Sequence, residues 1–288
     1  MLSYKEFLLE GILRVDKNLL DFLESCFFIC LYIDKKDSLS TEQISIFNQL
    51  QNKYKSIHDS FVKKYDIIYS GNQYLNVPYD HNGFQGNFNF VVDKKSQSLT
   101  GAEFHHGDIR VGKQRKIVVY YDDVFKEQFY NWLRTPKLQD LELIVKEKRN
   151  QIEHELAHGV ETFIMDKKGN TKKIKKNYDT DYKNYLTSEI EFEPMTISLI
   201  RDFTLKIKKF KVDNDEPMSV EYYKYLAKDL LSPISEYDWN KDFLIYYHKV
   251  SLVKLKTILK KAYVEIMDNI EELKSEGYIK WNHLKSFY

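Results

Sequence analysis

His154-Glu155-Leu156-Ala157-His158 sits inside a run from Leu138 to about Met165, where Leu141, Ile144, Val145, Ile152, Leu156, Val160 and Phe163 recur at helical spacing. An α-helix advances about 100° and about 1.5 Å per residue, so His154 and His158 fall roughly 40° apart, one turn along. Two imidazoles so placed can reach one ion. Glu155 follows the first of them and points beside that ion, where a zinc-bound water sits and needs a base. Ile152, Leu156, Val160 and Phe163 form a stripe on the other side of the helix. The pattern is that of a ligand helix, with one side buried and the other presented to a cleft.

Outward from this helix the chain changes texture. Residues 1–65 read as helical: apolar positions recur through Phe7–Leu31, and Ser40-Thr41-Glu42-Gln43 is a capping signal ahead of Ile44–Tyr54. From Asp66 to Val124 short β-rich runs (Asp66–Ser70, Phe88–Val92, Lys116–Tyr121) alternate with turn clusters at Ser70-Gly71-Asn72 and Asp80-His81-Asn82-Gly83. Gly83-Phe84-Gln85-Gly86 reads as a turn, since no Lys-Ser or Lys-Thr follows to make a phosphate loop. Helical periodicity returns over Glu189–Ile207 and Val250–Leu273. The order helices, strands, helices predicts an α+β protein. Its expected divisions are a helical region at 1–65, a central core at 66–215 and a C-terminal helical region at 216–288.

Composition narrows the function classes. The 288 residues are 43% hydrophobic and 30% charged, the mark of a folded globular chain, and the formal net charge is +1. That balance gives no general reason to expect nucleic-acid or membrane binding. Lys167–Lys176, six lysines around a Gly-Asn turn, reads as a solvated loop, with a phosphate-facing or acidic-substrate-facing loop as the alternative. Cys26 and Cys30, four apart in an apolar run, read as buried free thiols in a reducing compartment. The start lacks a basic leader before an apolar core, and that apolar run is too short for a span. The expected location is the cytoplasm, or a particle packaged from it.

A catalytic zinc commonly has three protein ligands and an open fourth position. Glu161 and Ile164 stand where a metzincin carries its glycine and third histidine, so that continuation is absent. Downstream lies Tyr185-Leu186-Thr187-Ser188-Glu189-Ile190-Glu191-Phe192-Glu193-Pro194. Here the chain resembles zincin-like metallopeptidases, many encoded by phages or mobile elements and related to gluzincin-type proteases that cleave phage immunity repressors. In that family the H-E-x-x-H helix is followed by a segment of the form Tyr-x5-Glu-Ile-Glu-Ala. With Tyr185 on the family tyrosine, Glu191 takes the place of the third ligand. Pro194 replaces the usual alanine and Glu189 stands where a proline is common, so Glu189 is the alternative ligand two residues away. The resemblance covers roughly residues 100–205 and also fits a strand ahead of the ligand helix.

What the resemblance implies is a zincin core, a small sheet with an active-site helix and a third-ligand helix, flanked by extra helices. The implied ligand set is His154, His158 and Glu191 around Zn2+, with Glu155 as general base on the bound water. A second donor for the oxyanion is expected from Tyr178, Tyr182 or Tyr185, of which Tyr185 is preferred. At most one of His105 and His106 reaches the cleft, since neighbours on a strand face opposite ways. Lys116–Tyr121 is the expected edge strand for an extended peptide. The expected partners are a protein or peptide substrate and other phage or virion proteins. The competing expectation is a phage virion or regulatory protein that keeps the scaffold for binding, with little or no proteolysis.

Overall fold

The fold is described from a computed structural model, which describes residues 16–81, 84–94, 101–105, 115–167, 189–232 and 252–280. It is a mixed α+β architecture. Helix α1 (Lys17–Lys35) opens on Asp16, whose carboxylate accepts the Asn18 N–H at 2.8 Å. Helix α2 (Thr41–Tyr65) begins with the capping box expected at Ser40 and Gln43, and Asp66 ends it in the left-handed region at φ 49°. The helix runs a further three turns past Tyr54 because Phe61 and Val62 still meet the core.

Five strands follow: β1 (Ile68–Ser70), β2 (Gln73–His81), β3 (Phe84–Asp93), β4 (Ala102–His105) and β5 (Lys116–Tyr120). They form one sheet in the order β1-β2-β3-β5-β4, with β3 and β5 parallel and the other pairs antiparallel. Two sequence readings are corrected here. Phe84, Gln85 and Gly86 belong to strand β3, because β2 and β3 stay paired out to His81 and Phe84 and leave only residues 82 and 83 between them. Lys116–Tyr121 is not an edge: β5 lies between β3 and β4. Ile117, Val118 and Val119 are all buried, as a strand covered on both faces requires. The edge strands are β1 and β4, and β4 is the one beside β5.

Helix α3 (Asp123–Arg134) is capped by Asp122, which accepts the Phe125 N–H at 2.7 Å. After Thr135-Pro136 comes α4 (Leu138–Lys167), the 30-residue helix that carries the histidines. A continuous hydrophobic core joins α1, α2, α3, α4 and the inner face of the sheet. It is rich in rings: Phe28 stacks on Tyr54 at 4.4 Å, and Trp132 meets Phe47 edge-on at 5.5 Å. Cys26 and Cys30 are free thiols buried in it.

The described residues up to Lys167 form one compact unit and those from Glu189 onward a second. The second contains α5 (Glu189–Asn214), β6 (Met218–Ser219), α6 (Val220–Leu231), α7 (Leu252–Ser275) and β7 (Ile279–Lys280), with β6 and β7 paired in parallel. Its core includes Phe203 edge-on to Tyr223, whose hydroxyl donates to the Ile266 carbonyl. These units do not coincide with the divisions expected at 65 and 215. The N-terminal helices share a core with the sheet and α4, and α5 packs with the C-terminal elements. Among the described residues no helix is long and apolar enough to cross a membrane.

Candidate metal centre

Charged residues fasten α4 just ahead of its histidines. Glu24, on α1 and 2% exposed, accepts from Tyr54 Oη at 2.8 Å, Lys146 Nζ at 2.9 Å and Arg149 Nη1. Arg149 also reaches Asp21 at 2.6 Å. Burial alone would raise the Glu24 carboxyl, but the two cations and the hydrogen bonds hold it below the usual carboxylate range. On another side of the helix Lys148 donates to Asp122 at 2.8 Å and to Gln151 Oε1 at 2.8 Å. The α3 cap therefore also anchors α4. Burial lowers both lysines from their ordinary values, and their carboxylate partners work against that shift.

One turn later the helix presents its imidazoles. His154 Nε2 and His158 Nε2 are 3.1 Å apart, with the rings edge-to-face at 4.8 Å. At ordinary Zn–N distances of about 2.0–2.1 Å, that separation subtends roughly 100° at an ion, near the tetrahedral angle. Glu155 Oε1 lies 4.0 Å from His154 Nε2, and ligand atoms of His154, Glu155 and His158 all fall within 4.8 Å of one another. His158 is 4% exposed, whereas the His154 and Glu155 side chains keep 15% and 14%. Imidazoles with a carboxylate alongside make a donor set that suits zinc. The helix thus brings together the three residues that the sequence singles out.

Edge strand β4 runs close along α4. A Cβ on Gly101 would lie 2.1 Å from Gln151 Oε1, and one on Gly159 would lie 3.1 Å from the Phe104 ring. These two glycines bracket the histidines, so close approach of strand and helix flanks the candidate site. On the opposite face from Phe104, Glu103 accepts from Tyr120 Oη at 3.0 Å and lies 3.4 Å from His105 Nε2. Burial and the Glu103 hydrogen bond, with charges that include Glu155, push the Tyr120 hydroxyl up to about 12. Burial and neighbouring Lys116 lower His105 against the pull of Glu103.

The remaining expected residues separate by location. His105 is on β4, half-buried, with Glu103 as its neighbour, and His106 lies outside the described residues. Glu189 and Glu191 fall in the first turn of α5, in the second unit, and their side chains lie outside the described set. Tyr178, Tyr182, Tyr185 and the loop beyond Lys167 also lie outside it. Sequence reasoning missed the Glu24 cluster and the Gly101 and Gly159 contacts. Glu24 did leave a trace, a lone charge in the apolar run Phe22-Leu23-Glu24-Ser25-Cys26-Phe27, where burial demands a partner. The chain gives no significant match to any protein-family model, curated protein or solved structure.

Proposed function

We propose that this chain is a zinc-dependent metallopeptidase with a zincin-like core, acting on a protein or peptide. The observation that carries the reading is the facing His154 and His158 nitrogens at 3.1 Å with Glu155 beside them. A purely structural zinc has no use for a carboxylate base at that position. His154 and His158 would hold the ion, and Glu191 is assigned as third ligand on sequence grounds, with Glu189 as its alternative. When bound, zinc acidifies a coordinated water and polarises the substrate carbonyl.

The chain's own residues then do the rest. Glu155 takes the water's proton on a carboxylate oxygen and returns it to the leaving amine. Tyr185 is the proposed second donor to the developing oxyanion. Edge strand β4 replaces β5 as the strand that holds an extended peptide through main-chain hydrogen bonds. A phage or mobile-element setting, virion partners and a cytoplasmic location remain part of this proposal through the family resemblance.

Glu155→Gln separates metal binding from chemistry, because Gln keeps the shape and cannot accept the proton. The variant should keep its zinc and fold while turnover of a cleaved protein falls by about three orders of magnitude or more. Equal turnover by wild type and Glu155→Gln on a substrate that both cut would remove Glu155 as the general base, and a wild type that cuts no substrate tried would favour the binding scaffold.

A further inference from the structure

Gln151, Glu155 and Gly159 recur every four residues along α4 and so fall within roughly 80° of one face. Gln151 packs where a Cβ on Gly101 would stand, and the Phe104 ring meets Gly159. Glu155 lies midway between those two contacts, so the proposed base is level with Ala102 and Glu103 of β4. Among the described residues no strand pairs with the outer side of β4. Successive residues of a strand point to opposite faces of the sheet. Phe104 takes the face that meets α4. Glu103 and His105 take the other, opposite Val118 and Lys116 in the register with β5.

On that face the Glu103 carboxylate is oriented from behind. Tyr120 Oη donates to its Oε2 at 3.0 Å. Burial, that hydrogen bond and the charges of Glu103, Asp93 and Glu155 push the Tyr120 hydroxyl up to about 12, so it stays a donor through the neutral range. The Glu103 side chain keeps 39% of its surface exposed. Two residues along, His105 stands near Lys116, whose charge adds to burial in lowering it. The strand thus offers negative charge at 103, beside the proposed base, and none at 105.

Resting on the metallopeptidase reading, we infer that Glu103 is a specificity-determining residue, selecting a lysine or arginine on the peptide strand that adds to β4. A peptide paired with an edge strand sets alternate side chains on the two faces of the sheet. One set runs along the α4 face, and the other passes Glu103. A basic side chain beside Glu103 makes a favourable cross-strand charge pair, whereas an acidic one is repelled. Tyr120 is the positioning residue of this subsite. Since Glu103 is level with Glu155, the selected residue falls within about three positions of the bond that is cut.

The test is cleavage of a randomised peptide library by the full chain, read by mass spectrometry for wild type, Glu103→Gln, Glu103→Lys and Tyr120→Phe. Wild type should enrich Lys and Arg about fivefold at one position near the cleaved bond. Glu103→Gln should lose that enrichment, and Glu103→Lys should turn it toward Asp and Glu while preferences at other positions stay as they were. Tyr120→Phe should weaken the enrichment without moving it. The same library is offered to immobilised Glu155→Gln, which reads binding without cleavage, and to Glu155→Gln carrying Glu103→Lys. Charge-blind selection by wild type, a basic preference that survives Glu103→Lys, or no retention of any peptide overturns the inference. Basic-selective retention by Glu155→Gln beside a wild type that cuts nothing would sink the peptidase reading and support the subsite.

Discussion

The two halves of α4 show how one helix can be both anchor and working surface. Its upstream half holds on through charge: Lys146 and Arg149 to Glu24, and Lys148 to Asp122. The downstream half has His154 and His158 and then Ala157 and Gly159, with Phe104 against the glycine. Buried ion pairs are directional, so they fix the rotation and register of the helix where they occur. Small residues let β4 come close without setting rotation. The lesson is that the angular placement of the histidines is set upstream of them, by groups that do no chemistry.

The most damaging test of that contrast is Glu24→Gln. It leaves Lys146 and Arg149 around a neutral group, and should cost about 3 kcal/mol in urea unfolding. The pH dependence follows with a definite sign. Glu24 in the fold titrates below its ordinary value, so its contribution is present above the unfolded carboxylate range, about pH 4.3, and is lost as pH falls through the lower folded value. Wild type should thus lose stability on acidification below about pH 4 more steeply than Glu24→Gln. Equal stability and equal acid slopes would show that the anchor half carries no such weight. At the small end stands Gly159→Ala, whose Cβ would press on Phe104 at 3.1 Å. The ring must give by a few tenths of an ångström, so the expected cost is within about 1 kcal/mol. A loss like that of Glu24→Gln would put the anchoring at β4 instead.

Much of this was legible in the residues. The spacing of His154 and His158, the apolar Ile152 and Leu156 on the other side of the helix and the capping box at Ser40 are local signals, and each is where local physics puts it. Edge strand β4 was not legible. Ala102-Glu103-Phe104-His105 has no β-branched residue and becomes a strand by pairing with β5. The correct place of β5 was nonetheless written in Ile117-Val118-Val119, a run too uniformly apolar for an edge. The Glu24 cluster joins residues more than 120 positions apart, and no periodicity reports that kind of contact.

The claim that everything else depends on is that the two histidines of α4 share one ion. Metal analysis of the purified protein, with His154→Ala and His158→Ala beside it, tests that directly. About one zinc per chain is expected in wild type and a near-complete loss in either variant. A wild-type protein without zinc when purified and refilled in its presence, or variants that keep their full complement, would contradict it.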